Sequence, residues 1–144
     1  MKSLVALHFC PDYEPGVVEN AVKTVLDATG GIESVVREGS RVFCKINLLV
    51  PAKPERAVST HPEIVRAVIR AIRRVGGIPV VGDNPAIAKT VTALRKSGIL
   101  AVLEEEKVEF PDLTEVVRIE NPNGCLFRSF VYRSASTKKN ARPA

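Results

Sequence analysis

Tryptophan is absent from this sequence, methionine occurs once, and aromatic residues make up only 5% of the 144 positions. A core must therefore be built from Val, Ile, Leu and Ala, a palette that suits parallel strands covered by helices better than a β-sandwich. No apolar run approaches the roughly 20 residues that span a bilayer. The apolar opening, residues 4–9, is too short and too quickly followed by Pro11-Asp12 to read as a secretory signal. We therefore expect a cytoplasmic protein. Cysteine is scarce too: Cys10, Cys44 and Cys125 are far apart, with no C-x-x-C and an odd total. This excludes a disulfide framework and cysteine metal sites of the usual spacing, and it fits a reducing compartment. No cofactor, and no iron–sulfur cluster in particular, is expected in the chain.

Acidic residues are missing from the C-terminal end, where none follows Glu120. Residues 1–127 hold 16 Lys/Arg and 16 Asp/Glu, which cancel, so the net charge of +5 comes from Arg128, Arg133, Lys138, Lys139 and Arg142. The excess belongs to a tail rather than a basic face, which disfavours nucleic-acid binding by the body. The length suits one α/β domain, residues 1–133, followed by a small, polar, basic tail at 134–144 that is expected to be disordered.

What is present reads as alternating strands and helices. Residues 4–9 read as a first strand. Val17, Val18, Ala21, Val22, Val25 and Leu26 recur on one helical face, closed by Gly30-Gly31. Residues 32–36 suggest a helical turn, and residues 41–48 the central strand. Ile64, Val65, Val68, Ile69, Ile72 and Val75 mark a second helix ending at Gly76-Gly77. Arg66, Arg70, Arg73 and Arg74 lie on its other side, a row that reads as a solvated face or as a seat for an anionic partner. Residues 78–81 predict the next strand. Asn84 then sits where it would cap a helix whose first residue is Pro85, running on to Ser97-Gly98. Residues 100–106 suggest further helical turns. Strand candidates follow at 107–110, 115–119 and 126–131, the last two joined by the turn cluster at 121–124. The expected fold is α/β: a Rossmann-like three-layer parallel or mixed sheet flanked by helices, with a C-terminal antiparallel hairpin.

The stretch 43–63 organises the rest. A strand there alternates Phe43, Lys45 and Asn47 against Cys44, Ile46 and Leu48, leaving Lys45 and Asn47 on one face. Cys44 falls on the apolar side as a core filler. Pro51 and Pro54 stop the strand. Thr60-His61-Pro62-Glu63 has the form of a capping box in which the Thr60 hydroxyl takes the Glu63 amide. Ligands in α/β proteins sit beyond the carboxyl ends of parallel strands. Lys45, Asn47, Thr60, His61, Asp83 and Asn84 are therefore candidate binding residues for a small anionic or metal-bound ligand. The same residues also fit a plain strand–loop–helix connection with turn and cap residues. A metal held by protein alone is disfavoured, since one His and one Asp fall short of a first shell. Ser59 precedes His61, but no nucleophile elbow surrounds it.

These residues carry a resemblance. K-x-N-L-L (Lys45, Asn47, Leu48, Leu49), T-H-P-E with the V-R-A-V that follows, and G-D-x-P (Gly82, Asp83, Pro85) resemble the domain-of-unknown-function 362 family. The opening C-P-D-Y and the later S-G-I fit the same pattern over about residues 4–130. The resemblance implies an α/β family without an established activity, many of whose members carry a 4Fe–4S ferredoxin-like domain. The chain departs from it at Ile46, Asn84 and Ala86, and the expectation is that the family's second half is absent from it, so neither that half nor the iron–sulfur domain is carried over. The expectation is an N-terminal half binding a ligand at the strand ends. The alternatives are an accessory module of a redox protein, with a homo-oligomer or a partner completing the sheet, or an inactive fragment. No membrane partner is expected.

Overall fold

Residues 41–48 alternate exposed and buried side chains, the signature of a strand with one face on a core and the other open. In the computed structural model this segment opens as β1 (Arg41–Lys45), pairing parallel with β2 (Ile78–Gly82) in the register Arg41–Ile78 to Lys45–Gly82. The structure describes residues 4–85, 88–111, 113, 115–120, 123 and 129–134, which fall into two units, Met1–Phe110 and Pro111–Ala144.

The first unit is mixed α/β, with four helices around the two-stranded parallel sheet. Its helices are α1 (Pro15–Ala28), α2 (Pro62–Arg74), α3 (Thr90–Lys96) and α4 (Ile99–Glu105), with 3₁₀ turns at Ile32–Ser34 and Pro54–Arg56. α2 is the crossover between the paired strands, as a parallel pair requires. It packs on α1, α4 and β2. Its Val65 and Ile69 join Ile46, Leu48, Val81, Leu94, Ile99 and Leu103 in one core, all nearly sealed from solvent. Cys44 packs against that core while only partly buried. Glycine is required between α3 and α4: Gly98 has φ +76°, and a methyl there would lie 3.2 Å from Pro62 Cγ. The close approach seats the start of α2 on the α3–α4 joint.

Three expectations about elements need correcting. Residues 4–9 form no strand, and Leu4, Val5, Leu7 and Phe9 are all more than 70% exposed. Their composition favours a strand, but a strand forms only where a neighbour supplies the ladder. Nor does a helix start at Pro85. Residues 83–85 are non-helical and α3 begins at Thr90 behind Lys89, because Asp83 turns back toward β1 and Pro85 is buried. Of the strand expected at 107–110, what forms is one parallel bridge, Glu109 to Val80. Ile87 of the expected helical face lies outside the described residues.

The arginine row of α2 is neither a bare solvated face nor a free anion seat. Arg70 Nε and Arg73 Nη1 donate to the Glu106 carboxylate at 2.9 and 3.0 Å, and Arg66 Nη1 approaches it at 3.5 Å. Arg73 also donates to the Glu106 carbonyl. Arg66 further pairs with Glu63 and Glu105, and Arg74 with Glu19. The row is spent on fastening α4 and α1 to α2. Sequence spacing showed few acids near the row along α2 itself, and these partners arrive mainly from other elements.

In the second unit, β3 (Glu115–Glu120) pairs antiparallel with β4 (Ser129–Ser134). Of the strand expected at 126–131, residues 126–128 lie outside the described residues. The turn expected at 121–124, apart from Asn123, and the tail at 135–144 lie outside the described residues. No helix among the described residues is long and apolar enough to cross a membrane.

Candidate functional site

β1 and β2 end together, with the Ile46 amide still donating to the Gly82 carbonyl at 3.2 Å. Asp83 follows directly. Its Oδ2 accepts from the Leu48 amide at 2.8 Å and its Oδ1 faces Lys45 Nζ at 3.1 Å. One carboxylate therefore ties the residue after β2 to two positions at the end of β1. The two contacts differ in weight. Leu48 is fully buried, so its amide would be costly to leave unpaired. The Lys45 side chain is 67% exposed, and such an ion pair contributes little net stability. Lys45 Nζ also donates to the Ile46 carbonyl at 3.1 Å. An ammonium has three N–H donors, so one is left over.

Thr60 closes the loop that leaves the strand. Its hydroxyl accepts from the Asn47 amide and its own amide donates to the Asn47 carbonyl, both at 2.9 Å. An antiparallel bridge from Leu48 to Ser59 adds to this clamp. Residues 49–58 are thus an Ω-type loop with its ends fastened together. The capping box is corrected here. The N-cap of α2 is His61, whose Nδ1 accepts from the Glu63 amide at 3.3 Å, while the Thr60 hydroxyl is engaged with Asn47. Threonine loses the cap because the loop clamp claims its hydroxyl first.

Burial pushes the His61 imidazole below its ordinary pKa, against the opposing pull of Glu63 and Glu55. The neutral ring suits its position, since Nδ1 accepts a bond only when unprotonated. Tyr13 stacks on it with ring centroids 3.6 Å apart and planes 17° from parallel. Sequence reasoning did not single out Tyr13. The signal was in the C-P-D-Y stretch: Asp12 Oδ1 accepts from the Glu14 amide at 2.9 Å, an Asx turn that fixes Tyr13 between them.

Of the six candidate residues, Lys45 pairs with Asp83 and Asn47 with Thr60, and Asp83 also accepts from the amide of Leu48, the residue after Asn47. Asn84 lies exposed beside Asp83, and Asn47 is likewise exposed. His61 follows Thr60 but commits its ring to the helix start and to Tyr13. The Ser59 hydroxyl is buried without a hydrogen-bond partner, so no Ser–His pair forms. Among the described residues, no group of three or more His, Cys, Asp and Glu side chains could hold a metal ion. Burial raises the Cys44 thiol above its ordinary pKa, which makes it a poor nucleophile.

Residues 42–138 match the family model described as a domain of unknown function (DUF362). The chain is also 35% identical over 104 residues to the thylakoid-associated protein sll1697 of Synechocystis sp.. That alignment covers 72% of this chain and 32% of the relative, so the chain spans about a third of the length of the protein it matches. No solved structure matches. The K-x-N-L-L, T-H-P-E and G-D-x-P segments that build the strand edge all lie inside the matched region, and the chain belongs to the DUF362 family.

Proposed function

We propose that the carboxyl edge of β1 and β2 binds a small anionic ligand. Lys45, Asn47 and Asn84 make the contacts, Asp83 and Thr60 hold them in place, and His61 sets the start of α2 beside them. One observation carries the reading: Lys45 is anchored by Asp83 and the Ile46 carbonyl, with one donor left on an ammonium open to solvent. The exposed side-chain amides of Asn47 and Asn84 add neutral donors. A free anion is preferred to a metal-bound one, because Asp83 already has partners for both oxygens and, among the described residues, no cluster of ligating side chains accompanies it. The test is a titration of the whole chain with inorganic phosphate, followed at the backbone amide resonances of Asn47, Leu48 and Asn84. Saturable shifts at roughly millimolar phosphate, lost in Lys45→Gln, support the reading. Shifts that do not saturate, or that survive in Lys45→Gln, would overturn it.

A second reading, a non-catalytic module whose sheet another segment or chain completes, is favoured by a different observation. Leu4, Val5, Leu7 and Phe9 are exposed, and Phe43 on the open face of β1 is 50% exposed. The relative is about three times as long as the matched stretch. In this reading the Rossmann-like three-layer arrangement and the C-terminal hairpin belong to the completed protein, and these exposed apolar residues are covered there. A chain that sediments as a monomer with residues 4–9 protected from protease would contradict it.

A further inference from the structure

The loop at residues 49–58 bounds a second concavity that the strand-edge reading does not use. It has a volume of about 450 Å³ and is lined by Val50, Pro51, Ala52 and Val58 together with Lys53, Arg56 and Lys96, with Glu55 as its acid. That size falls within the range of small-molecule sites, which combine an apolar lining with a few polar groups. The cations matter more than the volume. Every arginine of α2 has a carboxylate partner. Among the described residues, Lys53, Arg56 and Lys96 form no salt bridge. Three like charges around one concavity repel each other, and a single exposed glutamate offsets them only in part.

The walls are also held in place. The loop is clamped at its base by Asn47–Thr60 and Leu48–Ser59. The turn Pro54–Arg56, which sets Arg56, ends at Ala57 with φ +49°, a left-handed conformation that is rare for residues other than glycine. Lys96 comes from the last turn of α3, and the next glycine, Gly98, packs near Pro54. Two separate elements therefore bring cations to one apolar hollow.

We propose that this concavity binds an organic anion that carries a phosphate or carboxylate on an apolar body. Arg56, Lys53 and Lys96 bind the charge, and Val50, Pro51, Ala52 and Val58 take the apolar part. Arginine offers a planar fork of donors suited to either anion. The site is independent of the Lys45 edge, so the two readings can fail separately.

The probe is phenyl phosphate, titrated into the full chain and followed by backbone amide resonances, with benzyl alcohol as the neutral counterpart. Saturable shifts at the non-proline residues of 50–58 and at Lys96 are expected with phenyl phosphate, and none with benzyl alcohol. Arg56→Gln/Lys96→Gln should weaken the affinity by about tenfold or more, as expected for losing two charge-assisted contacts. Both substituted residues are exposed, and an unchanged amide spectrum elsewhere shows that the variant folds. Shifts confined to Asn47 and Asn84, equal binding of benzyl alcohol, or undiminished affinity in the double variant would each overturn the proposal.

Discussion

Asp83 is one side chain with two roles, and substitutions separate them. Asp83→Ala removes the acceptor of a fully buried amide, at a cost of about 1–3 kcal/mol. Asp83→Asn keeps an oxygen for the Leu48 amide and gives up only the partly exposed ion pair with Lys45, so its stability should fall by less than about 1 kcal/mol. Urea unfolding of both variants measures the difference, and equal losses would mean that the Leu48 contact carries no weight. His61 gives a second residue-scale test. Because burial lowers its pKa, the unfolded chain takes up the proton first as pH falls. The His61 contribution is therefore complete above the ordinary value of 6.5 and is lost as pH drops through the lower folded value. His61→Asn keeps a capping acceptor without a titrating ring, so its melting temperature should decline less than that of the wild type between about pH 7 and 5. Parallel declines in the two proteins would remove His61 from the account.

At the scale of elements, α2 is the pivot, and Glu106 is what fastens α4 to it. The Glu106 side chain is 12% exposed and faces Arg66, Arg70 and Arg73. Glu106→Gln keeps the shape and one acceptor but removes the charge that all three guanidinium groups share. We expect a loss of about 1–2 kcal/mol, held down by the exposure of Arg70 and Arg73. A double-mutant cycle with Arg70→Gln should show coupling above about 0.5 kcal/mol, and additive losses would place the fastening elsewhere. The helices were the readable part of the sequence. The apolar spacing at Val65, Ile69 and Ile72 gave α2 to within a residue or two, and glycine marked where the helices end. The partners of the arginine row were not readable, because Glu106 and Glu19 approach it from other helices. The cap of α2 was misassigned for a related reason. Thr60 and His61 are both able to cap, and the choice depends on a contact with Asn47, thirteen positions earlier.

For the whole molecule, the sequence was informative where local pattern decides and weak where pairing does. Residues 4–9 carry a strand-like composition yet stay unpaired, since composition does not supply a neighbour. At the strand edge, polar residues at Lys45, Asn47 and Asp83 drew attention because each interrupts or follows an apolar strand. The way Asp83 divides itself between Lys45 and Leu48 depends on the parallel register of β1 and β2 and on how the chain turns after each. The central claim is that Lys45 is an anion-binding group at this edge, where the Asp83 carboxylate and the bound anion compete for its ammonium. The direct measurement is the phosphate dissociation constant of the wild type, Lys45→Gln and Asp83→Asn at one ionic strength, without metal ions. Phosphate should bind several-fold more tightly to Asp83→Asn, where the competing carboxylate is gone, and about tenfold more weakly to Lys45→Gln, the equivalent of one charge-assisted contact. Equal affinities in all three proteins, or weaker binding to Asp83→Asn than to the wild type, would contradict the account.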